Sequence, residues 1–271
     1  MRSKKESSLD SLLMEKVQGF GLSGKAEKAM NLMLHDDELQ KTQEYANTVS
    51  IVRLGYNDHG PVHMRIVVLN AMIMMDLLRK ANIKTSLEKD ECGNFEDSLT
   101  AVICASMMHD LGMCAGRQDH DLLGVNIAMP ILCRIIKEVY KTDLHKQIMV
   151  QSTALEGIYG HMGTRTIHSL EAGIVQVADG CDMTKGRARI PIALGMASKT
   201  GYIHQYSANT IEKVEIIAGK EKPIRIEVLM SNEAGIFQVE EVLLKKIAAS
   251  TAKPHIELFA KVMDKEARQY L

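Results

Sequence analysis

The chain has no tryptophan in its 271 residues, and the three aromatic types together make up 4% of it. Methionine, with 18 residues, is abundant instead, which predicts a core of aliphatic and thioether side chains. No charge of one sign dominates: 33 Lys and Arg stand against 34 Asp and Glu, a formal net charge of −1. That balance removes the electrostatic case for a nucleic-acid partner, and Lys4-Lys5 is too short a basic run to restore it. The five cysteines, Cys92, Cys104, Cys114, Cys133 and Cys181, are odd in number and show no Cys-x-x-Cys spacing. A disulfide framework and a zinc ribbon are therefore not expected; reduced thiols in a cytoplasmic protein are. The start, Met1–Ser8, lacks the apolar stretch of a signal peptide. The apolar run Ile66–Met75 is broken by Asn70 and too short to span a bilayer, so no membrane partner is expected. No internal repeat or low-complexity tract stands out.

The composition is otherwise that of an ordinary globular protein, 46% hydrophobic and 25% charged, with ample length to bury a core. After a polar, irregular start, Ala26–His35 and Glu38–Leu54 carry apolar residues at three- and four-residue spacing, which predicts helices. Gly55-Tyr-Asn-Asp-His-Gly-Pro61 reads as a turn, with Asp58 as a cap and Pro61 in the first turn of a helix running to about Lys80. Thr85–Asn94 reads as a polar loop and Phe95–Met108 as a helix. Asp119 is expected to cap His120–Tyr140. Leu144–Gly160 forms a further helix, and Ser169 caps one ending near Asp182. Past residue 205 the period changes to alternation over Thr210–Ala218 and Ile224–Met230. A helical stretch, Phe237–Ala249, follows, and His255–Val262 alternates again. The expected architecture is mainly α: a helical domain over 1–205 and a small β-β-α-β unit over 206–271. The open edges of such a sheet predict a homodimer.

The most informative feature is His109-Asp110, at the end of the apolar run Ala101–Met108 and followed at once by Leu111-Gly112. A helix that ends on adjacent imidazole and carboxylate presents two metal-ligating side chains at one terminus. His63 lies upstream in one helical pattern and Asp179, in Val177-Ala-Asp-Gly-Cys-Asp182, lies downstream in another. Donors from one helix end and two neighbouring helices can converge on one cation. Imidazole and carboxylate together suit Mn, Fe, Zn, Ni or Co better than calcium.

The order His63 … His109-Asp110 … Asp179 resembles the HD-domain superfamily of metal-dependent phosphohydrolases, over about residues 45–190. Tyr56-Asn-Asp-His-Gly-Pro61 and Gly186-Arg-Ala-Arg-Ile-Pro191 look similar to uncharacterised archaeal members. The resemblance implies a helical bundle around one or two divalent cations. Iron or manganese comes first, with zinc, nickel, cobalt or magnesium as alternatives. It assigns His63, His109, Asp110 and Asp179 to a first metal. Asp110 then bridges to a second metal held by His120 and His161. Two such cations can activate water and stabilise both the attacking and leaving oxygens at phosphorus. His59, four residues before His63, resembles the histidine of cyclic-nucleotide phosphodiesterases that protonates the leaving oxygen. This holds if the helix begins before Gly60; a loop position is the alternative. The implied function is hydrolysis of a phosphomonoester or phosphodiester in a small phosphorylated substrate, a nucleotide or a relative of one. A non-catalytic nucleotide sensor built on the same bundle is the second reading.

Other residues read less sharply. Lys185 and Arg187, with Arg189, follow Asp179 within ten residues; they read as phosphate ligands or as a solvated basic loop. Asp182 reads as a solvated helix end or as an outer partner that orients a ligand, and Glu171 as a helix-start charge matched to the dipole. Cys104 and Cys181 read as core. His35, His145, His168, His204 and His255 read as ordinary histidines. Ser231-Asn-Glu-Ala-Gly-Ile-Phe237 reads as a strand-to-helix loop used for packing or dimerisation, with binding of a small ligand at the helix N-terminus, as in the distantly similar ACT domains, as the alternative.

Overall fold

A computed structural model describes residues 2–185 and 206–271. The fold is mainly α with a small mixed sheet at its C-terminal end. The helices are α1 (Lys4–Gln18), α2 (Lys25–Leu34), α3 (Asp37–Thr48), α4 (Pro61–Lys80), α5 (Ser86–Lys89), α6 (Phe95–Met108), α7 (His120–Tyr140), α8 (Leu144–Gly160) and α9 (Leu170–Cys181).

Two of these helices form the axis of the bundle. Every residue of α6 and every residue of α9 is buried. A helix with no solvent face must be enclosed by others, and its polar side chains, such as Glu96, Asp97 and Glu171, must find partners inside the bundle. Helices α4 and α8 pack against both. Helix α4 is long and apolar enough to cross a membrane, but most of that stretch is buried within the bundle. The methionines Met64, Met72, Met74, Met75, Met107 and Met108 are fully or almost fully buried, so thioethers fill the core that the missing aromatics leave to them.

Several local expectations are corrected. The N-terminus is not irregular: α1 begins at Lys4, with the Ser3 side chain accepting from the Glu6 amide and Glu6 returning to the Ser3 amide. The same reciprocal cap, Thr85 with Glu88, nucleates the short α5 inside the stretch read as a loop. Asp58 does not cap α4. Its carboxylate accepts from the Gly60 amide, and Gly60 holds the cap position. Asp119 does stand at the cap of α7, but in the left-handed region (φ 50°) and without a capping bond. Its carboxylate pairs with Arg165 instead. Ser169 caps α9 as expected. Glu171 is no surface charge: it is buried, and it accepts from the amides of Ser86 and Leu87 and from the Ser98 hydroxyl, tying α5 and α6 to α9.

At the C-terminal end the strands are β1 (Ile211–Ala218), β2 (Ile224–Met230), β3 (Ile256–Val262) and the short β4 (Arg268–Gln269), in that spatial order. β1 and β2 form an antiparallel hairpin; β2 and β3 run parallel, joined by a helical crossover. The crossover begins with a helical turn, Ile236–Gln238, continues as a π-helical stretch, Val239–Leu243, and ends as α10 (Leu244–Ala249). It lies on α9. Gln176 donates to the carbonyl of Lys246, Ser250 to that of Gly173 and Thr251 to that of Ser169. The approach requires glycine at 173, where a Cβ would come within 2.2 Å of Thr251 Oγ1. The apolar core runs without interruption from the helices into the sheet.

Candidate metal centre

Five helix ends meet at one place. His109 and His161 are the C-terminal caps of α6 and α8, and Asp179 lies in the last turn of α9. His63 and His120 stand in the first turns of α4 and α7. Three of these ends are helix C-termini, whose partial negative charge favours a cation. Asp110 follows directly on His109 and precedes a 3-10 turn, Leu111–Cys114. Gly112 in that turn is obligatory for packing: a Cβ there would sit 1.8 Å from the carbonyl oxygen of His120. The Leu-Gly after the His-Asp pair thus lets the end of α6 touch the start of α7 and brings His120 beside Asp110.

All of His63, His109, Asp110, His120, His161 and Asp179 are buried. The Nδ1 atom of each imidazole is committed elsewhere. It faces Ser106 O at 2.9 Å for His109, Arg117 O at 2.9 Å for His120, Ile158 O at 2.7 Å for His161 and Asp182 Oδ2 at 2.6 Å for His63. These acceptors place the ring protons on Nδ1 and leave each Nε2 with its lone pair pointing inward. Those lone pairs meet in pairs: His63 with His109 at 3.1 Å, and His120 with His161 at 3.1 Å.

Asp110 joins the two pairs. Its Oδ2 lies 3.3 Å from Nε2 of both His63 and His109. Its Oδ1 lies 3.3 Å from His120 and 3.4 Å from His161. Asp179 Oδ1 completes the first group, 3.3 Å from His63 and 3.7 Å from His109. Converging lone pairs and carboxylate oxygens repel unless positive charge lies between them. Ligands bonded to one cation at about 2.0–2.2 Å stand about 2.9–3.6 Å from one another. The donor set therefore fits divalent metal, in two half-sites that share Asp110. His63, His109 and Asp110, with Asp179 beside them, could hold one ion; Asp110, His120 and His161 could hold a second, and a further group, His109, His161 and Asp179, crosses between the two.

Electrostatics agree with this geometry. Burial works to raise the Asp110 carboxyl, but the charges and hydrogen bonds of His109, His59 and His120 outweigh it and hold the group well below the usual carboxylate range. Asp179 is likewise held low against burial, chiefly by Lys246 and then by His63 and His109. Both side chains are thus ionised, as metal ligation would require. Burial, reinforced by the neighbouring imidazoles, lowers His161 to about 4, so it is neutral and able to ligate at pH 7.

A pH effect on stability follows. The His161 imidazole is depressed in the folded chain and ordinary, near 6.5, in the unfolded one. As pH falls from 6.5 towards 4 the unfolded chain takes up a proton that the folded chain refuses. Stability is therefore lost across that window, by on the order of 3 kcal/mol. Urea unfolding of chelator-treated protein between pH 7.5 and 4.5 should show this loss, and His161→Gln should flatten it. An unchanged slope in His161→Gln would assign the proton to another group.

The structure departs from the sequence reading around this centre. Asp182 is buried against His63 rather than solvated, and it orients the ring that faces the first half-site. His59 lies in the loop before α4, not on the helix. Its Nδ1 is 2.6 Å from Asn57 O and 2.9 Å from Ser50 Oγ, and its ring centroid is 5.9 Å from that of His63. Lys185 is exposed, paired with Glu212 of β1, and does not line the cleft over the centre. Arg187 lies outside the described residues. Cys104 and Cys181 are buried free thiols whose ionisation burial pushes up, to about 12 for Cys104, as core residues require.

Two cations were missed. Lys246 of α10, itself buried, pairs with Asp179 Oδ2 and donates to the carbonyl of His161 at 2.9 Å. It touches one candidate ligand of each half-site. Arg117, in the loop before α7, places Nη1 3.4 Å from Nε2 of His120. Both line a cleft of about 560 Å³ that also reaches His59, Asp110, Asp179, Asp182, Met162 and Met183.

The chain is 43% identical over 232 residues to "Uncharacterized protein MJ1020" of Methanocaldococcus jannaschii, a match covering 83% of this chain and 87% of that protein. The chain belongs to the family of that archaeal protein. No family model matches it, and no solved structure matches it.

Proposed function

For this member of that archaeal family we propose a divalent-metal phosphohydrolase of the HD type, acting on a small phosphate ester such as a nucleotide. The observation that carries the reading is Asp110, which offers one oxygen to each of two imidazole pairs at 3.3–3.4 Å. A carboxylate so placed could be shared by two cations, an arrangement that would suit in-line displacement at phosphorus. Iron or manganese suits the mixed nitrogen and oxygen donors best.

When bound, two such cations polarise a phosphoryl oxygen and lower the pKa of water. The rest falls to the chain. Asp182 holds His63 in one tautomer and orientation, and the carbonyls of Ser106, Arg117 and Ile158 do the same for the other three imidazoles. Lys246 fixes Asp179 by its Oδ2 and leaves Oδ1 towards His63. His59, oriented by Asn57 and Ser50 at the cleft wall, is the group we assign to protonate the leaving oxygen. The cleft volume of about 560 Å³ suits a nucleotide-sized body, and Met162, Met183 and Val242 supply an apolar wall.

The test is hydrolysis of p-nitrophenyl phosphate and bis-p-nitrophenyl phosphate by protein loaded with manganese, before and after chelation. Turnover that chelation abolishes and manganese restores is the expected result. Tight nucleotide binding with no turnover of either ester, and none of a panel of nucleotides, would replace the enzyme with a sensor.

A further inference from the structure

We propose that Arg117 is a movable counter-charge, held on the His120 lone pair and released onto a phosphoryl group when a cation takes that lone pair. The proposal rests on the two-cation reading of the cleft and adds a residue and a ligand class to it.

His120 directs its Nδ1 proton to the carbonyl oxygen of Arg117, which leaves one lone pair, on Nε2. The guanidinium of the same Arg117 donates to that nitrogen at 3.4 Å. The same nitrogen stands 3.1 Å from His161 Nε2 and 3.3 Å from Asp110 Oδ1, so it belongs to the second half-site. One lone pair cannot serve both a guanidinium and a metal ion, and the two positive charges repel. Occupation of the second half-site therefore displaces Arg117.

The surroundings allow this movement and give it a direction. Arg117 is half-buried and follows Gly116, whose φ of +139° and open surroundings suit a loop free to re-aim the next side chain. Among the described residues no carboxylate pairs with Arg117. The nearest in sequence, Asp119 and Asp121, are both taken by Arg165. Arg117 also lines the same cleft as Asp110, Asp179 and Lys246. A displaced guanidinium there meets whatever anion the cleft admits. Its planar fork of donors matches the free oxygens of a phosphoryl group: inorganic phosphate, or the terminal phosphate of a monoester.

The two halves of the proposal predict shifts of opposite sign. Calorimetric titration of metal-stripped full-length protein with manganese should show the second ion binding roughly 3- to 10-fold tighter in Arg117→Ala than in the parent, because a competing hydrogen bond is gone. Titration of the manganese-loaded proteins with inorganic phosphate should show binding about 10- to 100-fold weaker in Arg117→Ala. Arg117→Lys keeps the charge without the fork and should fall between the two for phosphate. Melting curves verify that the variants fold. Absence of either shift in folded Arg117→Ala overturns the proposal, as does a variant that takes up only one ion. If both shifts occur while the parent turns over no phosphate ester, the hydrolase reading fails and the role of Arg117 stands.

Discussion

Asp110→Asn is expected to lose both metal ions, not one. The carboxylate gives Oδ2 to the His63–His109 pair and Oδ1 to the His120–His161 pair, so a single change reaches both half-sites. The carboxamide fits the same volume, but it replaces a negative charge with none and turns one oxygen into a donor. That NH2 group must then face a pair of imidazole lone pairs. Loss of an outer partner of a metal ligand costs about 10- to 100-fold in affinity. Removing the shared ligand itself should exceed the upper end of that range at each half-site. Elemental analysis of protein purified without chelator checks this. His161→Ala is the control, since it touches only the second half-site and should retain one ion. An Asp110→Asn protein with its full complement of metal would end the shared-ligand description. Equal metal loss in both variants would mean that the half-sites fill as one.

The six residues of the cluster were legible in sequence partly because each sits at the end of a strongly patterned segment, and for His120 and His161 because the resemblance to the HD-domain superfamily implied them. The apolar run before His109-Asp110 marks α6, and the turn before Pro61 marks the start of α4 with His63 in its first turn. Helix ends are where side chains leave a bundle core, so polar residues there carry more information than the same residues on a solvated face. What the sequence hid is of another kind. Asp182 stays undecided between a solvated helix end and an orienting partner until His63, 119 residues earlier, is placed against it. Glu171 reads as a match to the α9 dipole until the start of α5 brings two amides to it. Lys185 follows a ligand closely, yet it is drawn to Glu212 on β1. In each case the deciding partner is remote along the chain, and no local pattern records it. The caps of α1 and α5 are different, since Ser-x-x-Glu and Thr-x-x-Glu stand openly in the sequence; these were local signals overlooked.

Lys246→Met should separate the stability of the chain from that of its metal-loaded form. Lys245 and Lys246 are adjacent in sequence, but only Lys245 is exposed, paired with Glu241, while Lys246 is buried. Lys246 is turned inward by the packing of α10 on α9, which glycine at 173 permits. There it neutralises Asp179, which is buried and ionised. Methionine fills a similar volume but leaves that carboxylate without its charge partner. Breaking a buried pair by removing one member typically costs about 3–5 kcal/mol, because the survivor stays charged in a poorly solvated place. The metal-stripped variant should lose stability on that scale in urea unfolding. A divalent ion in the first half-site compensates the same carboxylate from its Oδ1 side, so manganese should recover much of the loss. The thermal shift on adding manganese should then be larger for Lys246→Met than for the parent, although the parent is the more stable of the two without metal. A variant as stable as the parent when stripped would show that Lys246 contributes nothing net to the buried pair. A variant that is destabilised but gains no more from manganese than the parent does would place the ion away from Asp179. That result would remove Asp179 from the first half-site and leave His63, His109 and Asp110 to hold the cation alone.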